Sequence, residues 1–254
     1  MHSVKDKTVI LTGGAGDIAR IVLQRFVAAG AKVMLVDLNE ESLQEVTSGY
    51  SDDSVRYSVA DVTSEADTEK YVAATVEAFG GVDVLLANAG VEGPVMPVSE
   101  LDLSTFQSVF NVNVLGVFLG IKHVFPVMVA GGGGSIVITS SVAGVSATPG
   151  MTAYGTSKHA VVGLMRACAK EGGPHNIRVN TLNPSPVEGR MMRSLETGLM
   201  PEDPRAQYEA IKASIPMERY ADPEDVANMM MFLASEESGF LNGGVYMVDG
   251  GMTA

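Results

Sequence analysis

Tyr154 and Lys158 stand four residues apart in AYGTSKHA, and Ser141 precedes the tyrosine by thirteen. On a helix that spacing puts phenol and ammonium on one face, about one turn apart. An ammonium beside a phenol favours the phenolate and lowers a pKa that is ordinarily about 10. A tyrosine tuned in this way can exchange a proton with an alcohol near neutral pH. A Tyr/Lys pair alone is more often a packing or surface pair. Ser141, just after a strand-like run, and a nucleotide-type loop upstream lift this one above that reading.

The upstream loop is TGGAGDIA, residues 12–19. Gly13, Gly14 and Gly16 lie between an apolar run and a helix-like pattern, where glycine lets the backbone approach a pyrophosphate and a helix N-terminus faces its charge. Asp37 closes the next apolar run, VMLVDLN, about 20 residues further on, where a carboxylate can accept hydrogen bonds from an adenosine ribose. Its plain alternative is a turn or helix-cap aspartate. Asp17, inside the phosphate loop, is unexpected. A short carboxylate at a helix start can accept that helix's free N–H groups, so Asp17 is expected to be an N-cap, with the pyrophosphate left to loop backbone and helix dipole.

Alternating elements must position these groups. Strand-like runs fall at Thr8–Leu11, Lys32–Val36, Val55–Val59, Val82–Ala87, Ser135–Thr139, Ile177–Leu182 and Val245–Val248. Helical patterns lie between them, near 17–29, 40–48, 64–79, 104–129, 152–172 and 223–235. Gly30 and Gly80-Gly81 are stop signals, Ser64 to Asp67 reads as a capping box, and Asp222-Pro223 reads as a helix start. The alternation predicts a doubly wound, Rossmann-like parallel sheet of seven strands, helices on both faces, in a single domain over 1–254. Gly131–Gly134 fits a tight helix-to-strand turn better than a linker. The segment from 186 to 217, rich in methionine and leucine, lies where such a sheet leaves its crevice open. It is either an ordinary surface helix pair or an apolar lid over a substrate.

Composition narrows the partners. The 254 residues are 46% hydrophobic with a formal charge of −13, which disfavours nucleic acid and anionic membranes. No apolar run approaches the ~18–20 residues of a membrane span, and MHSVKDK has no signal-peptide character. Cys168 is alone, which points to a reducing, cytoplasmic setting. His2, His123, His159 and His175 are scattered without metal-ligand spacing, so no metal is expected.

Taken in order, the glycine-rich loop, Asp37, Asp61-Val62, NAG at Asn88 to Gly90, NVNVLG with Asn113, Ser141, Tyr154, Lys158, IRVNTLNP and the closing VDGG resemble the short-chain dehydrogenase/reductases in their single-domain form. The resemblance covers essentially the whole chain. It implies that Tyr154 is the general acid or base and that Ser141 holds the substrate oxygen. Lys158 would bind the nicotinamide ribose and lower the tyrosine pKa, and Asn113 would position a water in a proton relay. For the cofactor it implies Gly13, Gly16, Asp17 and Ile18 at the loop and Asp37 and Leu38 after the second strand. Asp61 and Val62 would meet the adenine, and Asn88, Ala89 and Gly90 would line the adenosine side. Pro184 and Val187 would lie near the nicotinamide, with the backbone near Val187 serving its carboxamide.

Three departures from the family pattern stand out: Asp17 and Ala19 replace glycines, Ser185 follows Pro184 in place of glycine, and Gly189 replaces a threonine that contacts the carboxamide. Gly16, Asp37 and Leu38 offer no basic residue for a 2′-phosphate, so the expected cofactor is NAD. The expected activity is an NAD(H)-dependent alcohol dehydrogenase or ketone reductase acting on a small molecule. Val95, Met96, Val142, Val145 and the methionine-rich segment suggest a hydrophobic or cyclic substrate, while Arg190 and Arg193 suggest the alternative of an anionic one. An NADP(H)-dependent 3-oxoacyl-carrier-protein reductase and a non-catalytic nucleotide-sensing regulator are the rivals. A homotetramer is implied by the resemblance only.

Overall fold

The apolar runs pair into one sheet whose central strands are buried on both faces, leaving parallel neighbours to satisfy their backbone, while the edge strand over 55–59 stays largely exposed. The computed structural model describes residues 3–254, and His2 lies outside them. The strands are β1 (Thr8–Thr12), β2 (Lys32–Asp37), β3 (Val55–Val59), β4 (Val84–Ala87), β5 (Gly134–Thr139), β6 (Ile177–Pro184) and β7 (Val245–Val248). Their order is β3-β2-β1-β4-β5-β6-β7, and every pairing is parallel.

The helices are α1 (Asp17–Ala28), α2 (Glu40–Thr47), α3 (Glu65–Phe79), α4 (Leu103–Phe110), α5 (Gly116–Ala130), α6 (Thr152–Gly172), α7 (Arg190–Leu199), α8 (Pro204–Ala213) and α9 (Pro223–Ala234). Alternate side chains of β1 feed two cores, as the two-residue period of a strand requires. Val9 and Leu11 join Leu23 and Phe26 of α1 and Met230 of α9 on one face. Ile10 joins Tyr71 of α3, Val124 of α5 and Met165 of α6 on the other.

The structure departs from the sequence expectation in three instructive places. The helix expected over 104–129 is divided: five residues of π-helix, Asn111–Leu115, separate α4 from α5. A π-turn inside a helix is rare and often marks a functional position, and this one carries Asn113. β6 runs two residues past Leu182, because Asn183 and Pro184 pair with Met247 and Val248. Ser64 accepts the Asp67 N–H at 3.3 Å, but the Asp67 carboxylate accepts from the Asp61 N–H instead of closing the capping box.

The continuous helical stretch Leu103–Ala130 contains an 18-residue window of mean hydropathy 1.8 and is long and apolar enough to cross a membrane, a property that contiguous apolar runs alone do not reveal. Packing against β4, β5, α3 and α6 accounts for part of that apolarity, since 44% of the window is buried within the fold. The strand order reverses between β1 and β4. Their following loops diverge there and open a cleft of about 900 Å³ at the carboxyl ends of the strands.

Candidate active site

One end of the cleft is built by the first βα turn. Gly13 has φ +68°, and a Cβ there would lie 2.9 Å from Ala89 Cα, so only glycine lets the two loops meet. Thr12 ties them together: its hydroxyl accepts the Asn88 and Ala89 N–H groups at 3.1 Å each. In the sequence Thr12 reads only as a strand end; its place one residue before the glycines is the signal that could have found it. Asp37 Oδ2 accepts the Ala15 N–H at 3.1 Å, which braces the glycine loop, while Asn39 and not Asp37 caps α2. Leu38, Asp61, Val62, Asn88, Ala89 and Gly90 line this end together with Ile18. Asp61 Oδ1 is taken by the N–H and hydroxyl of Thr63, both at 2.8 Å.

α6 brings Tyr154 and Lys158 to the middle of the cleft, and the extended Ser141 faces it from the turn after β5. Ser141 is fixed from two sides, as its hydroxyl caps the short turn at Ala143 (3.1 Å) and its carbonyl accepts from buried Asn183 (2.7 Å). Lys158 Nζ lies 5.5 Å from the Tyr154 ring centroid and donates to the Thr139 carbonyl at 2.9 Å. Burial pulls its pKa down to about 8. The Tyr154 phenol is shifted up, which corrects the expectation that Lys158 would lower it. Burial is the main cause, the Ser141 hydroxyl partly opposes it, and the Glu92 carboxylate adds to it.

Asn113 is buried, and its side chain is committed. Oδ1 accepts the Val91 N–H (2.8 Å), and Nδ2 donates to the Val91 carbonyl and the Ser157 hydroxyl, both at 2.9 Å. A Cβ on Gly90 would meet Asn113 Oδ1 at 3.2 Å and Lys158 Nζ at 3.4 Å, so this glycine is what allows the three to converge.

Asp17 is not an N-cap. Gly16 holds that position on α1 with no side-chain cap, and Asp17 Oδ2 accepts the Arg190 N–H of α7 at 2.9 Å. The physical reason is position. Asp17 is already the first helical residue, and α7 offers an uncapped N–H because its own N-cap is Gly189. Ala19 is fully buried, its methyl part of the core.

α7 and α8 close the far end with Met191, Met192, Leu195, Leu199 and Ile211, joined by Val142, while Val95 packs behind Gly198 so closely that a Cβ there would meet its Cγ2 at 3.0 Å. Met96 and Val145 do not line the cleft. Arg193 is unavailable to an anionic substrate: it pairs with Glu188 and with the buried Glu196 (2.8 Å), and Tyr208 donates to Glu188 at 3.0 Å. Arg190 Nη1 lies 3.6 Å from Glu92. Pro184 and Val187 also line the cleft; Val187 bridges Ala221 through the Glu188 N–H and the Pro186 carbonyl, leaving its own amide out of the bridge. Elsewhere, Glu65, Glu69 and His123 bring possible metal-ligand atoms within 4.8 Å of one another, a juxtaposition the sequence did not suggest. Glu65 already receives Lys122 and His123 there.

A family model described as enoyl-(acyl carrier protein) reductase matches residues 13–253. The levodione reductase of Leifsonia aquatica is 36% identical over 253 residues, covering 98% of this chain and 95% of that protein. The chain belongs to the short-chain dehydrogenase/reductase family. Other members bear similar likeness: (+)-borneol dehydrogenase 2 of Salvia officinalis is 38% identical, covering 98% of this chain and 89% of its own. The crystal structure of an NAD+-bound xylitol dehydrogenase superposes with a TM-score of 0.91 at 31% identity, over 97% of this chain and 98% of that one. This short-chain dehydrogenase/reductase is an oxidoreductase, and its sheet, cleft and Tyr/Lys helix fall where the sequence expectation put them.

Proposed function

We propose that the protein is an NAD(H)-dependent dehydrogenase/reductase of hydrophobic or cyclic secondary alcohols and ketones. The observation that carries this reading is the convergence of Ser141, Tyr154 and Lys158 between a glycine-loop cleft and an apolar wall of methionines and leucines. The names of the relatives, levodione reductase and borneol dehydrogenase, support a compact apolar substrate. The residues fit a dinucleotide. α1 starts without a side-chain cap, so its first-turn N–H groups near Gly13, Gly16 and Ile18 can serve a pyrophosphate. Asp37 and Leu38 would receive the adenosine ribose, Asp61 and Val62 the adenine, and Lys158 and Tyr154 the nicotinamide ribose, with Pro184 and Val187 near the carboxamide. A carboxylate at position 37 supports NAD over NADP, since a 2′-phosphate beside it would be a like-charge contact.

The bound nicotinamide would supply or accept the hydride. Ser141 would hold the substrate oxygen, and Tyr154 would give that oxygen a proton during ketone reduction. Burial holds the phenol above its ordinary pKa, so Tyr154 carries at neutral pH the proton that ketone reduction requires. Both N–H donors of Asn113 are taken, so a relay water there would be held by an acceptor of that residue.

The acidic chain argues against docking an acidic carrier protein, although the matching family model bears an acyl-carrier reductase description. Assembly as a homotetramer is supported by apolar side chains left exposed on the α4–α5 stretch, among them Leu103, Leu115, Phe118 and Val129. The test is nicotinamide absorbance with a panel of cyclic ketones against linear and carrier-linked ones. Turnover of cyclic ketones with NADH is expected; turnover confined to carrier-linked substrates, or none at all, would refute the reading.

A further inference from the structure

Asp17 and Gly189, two departures from the family pattern, meet in the structure. Asp17 Oδ2 accepts the Arg190 N–H at 2.9 Å. Gly189 holds the α7 N-cap position at φ 153°, and a Cβ on it would collide with that same carboxylate oxygen. The Asp17 carboxylate and a side chain at 189 therefore exclude one another. Arg190 is held a second time, because its guanidinium faces Glu92, a carboxylate only 13% exposed, from the chain after β4. The first residue of α7 is thus tied both to the start of α1 and to the chain after β4. The Glu188–Arg193–Glu196–Tyr208 network binds α7 to α8, so what fixes the head of α7 fixes the whole apolar wall.

We propose that Asp17 is a positioning residue: it caps α7 from across the cleft and sets where the substrate-facing wall stands, with Gly189 as the space that makes this possible. A carboxylate suits the role because it meets the positive end of the α7 dipole. Turning toward α7 also draws its charge away from the N–H groups that open α1. The wall is then held by the protein itself and does not wait for a cofactor phosphate to order it.

Hydrogen exchange of the α7 amides, measured on the protein free of cofactor and substrate, reads this directly. The result does not depend on what the enzyme turns over, so it separates this proposal from the functional reading above. Asp17→Ala should speed exchange at Arg190 and the next turn by about tenfold or more, while Asp17→Asn, which keeps an acceptor oxygen, should stay within about threefold of wild type. In turnover of a cyclic ketone, Asp17→Ala should raise substrate KM by about fivefold or more with kcat changed by less than about twofold.

A cycle with Gly189→Ala gives the second arm. The backbone strain of a side chain at φ 153° is common to both backgrounds and cancels. Asp17 Cβ lies 3.4 Å from the added methyl, an ordinary contact, so only the carboxylate clashes. Gly189→Ala should therefore perturb α7 exchange and melting far more beside Asp17 than in the Asp17→Ala background. Unchanged Arg190 exchange in Asp17→Ala would overturn the proposal, as would an equal cost of Gly189→Ala in both backgrounds. Should Gly189→Ala fail to fold beside Asp17 yet fold with Asp17→Ala, that rescue is itself the expected result.

Discussion

Lys158→Met is expected to raise the stability of the fold while abolishing turnover. The wild-type side chain is 4% exposed, and burial takes its pKa from an ordinary 10.5 to about 8. Every tenfold loss of proton affinity corresponds to ~1.4 kcal/mol, so holding the ammonium in the fold costs roughly 3 kcal/mol at neutral pH. Methionine keeps most of the buried stem without the charge. It forfeits the charge-assisted hydrogen bond to the Thr139 carbonyl, worth about 2 kcal/mol. The net gain is about 1 kcal/mol, or roughly 2–4 °C in melting temperature for a domain of this size.

The pH dependence checks the cause. Below pH ~8 the lysine is protonated in both folded and unfolded chains, and the whole cost is present. Between about 8 and 10.5 the folded protein releases its proton while the unfolded chain keeps it, so wild-type stability from this group rises with pH. Above that window the cost is gone. Denaturant midpoints of both proteins at one fixed protein concentration, from pH 7 to 10, should show the advantage of the variant shrinking across that interval. A variant less stable than wild type at pH 7, or an advantage that ignores pH, would refute the reasoning.

Tyr154→Phe should lower turnover by ~10²-fold or more while NAD affinity by fluorescence stays near wild type, the scale expected for loss of a general acid or base. In wild type, alcohol oxidation needs deprotonated Tyr154 and should accelerate as pH rises, whereas ketone reduction should hold at neutral pH and fall only in alkali; the opposite ordering in initial rates would count against Tyr154. Asp37→Ser should weaken NAD and improve NADP relative to it, seen as a change of about tenfold or more in the ratio of their kcat/KM values. Arg193→Met strands the buried Glu196 carboxylate, a change that ordinarily costs ~3–5 kcal/mol. Limited proteolysis should then cut within residues 190–213 well before the wild type.

Periodicity carried the sheet. β4 is apolar throughout and β1 is apolar between its two terminal threonines, so their partners and both helical layers follow from burial. Tyr154 and Lys158 were legible for a related reason: they are neighbours on one helix, and helix geometry alone brings them together. The direction in which the Tyr154 pKa moves was not legible, because it depends on how deeply the phenol is buried and on Glu92, which arrives from another loop. The π-turn at Asn113 escaped as well. It accompanies bonds to Val91 and Ser157, 22 and 44 residues away, which no local pattern encodes.

Asp17 marks the boundary between the two kinds of information most sharply. Read locally, an aspartate at a helix start is a cap, and capping energetics favour that reading. Its partner is 173 residues distant, and that partner is free only because Gly189 has no side chain to cap α7 or to block the approach. Each residue looks like an isolated departure from the family pattern until the fold places them in contact; then each supplies the reason for the other. A substitution at either position is accordingly best judged with the other in view, since what excludes a methyl at 189 is the carboxylate at 17 as well as the backbone at 189 itself.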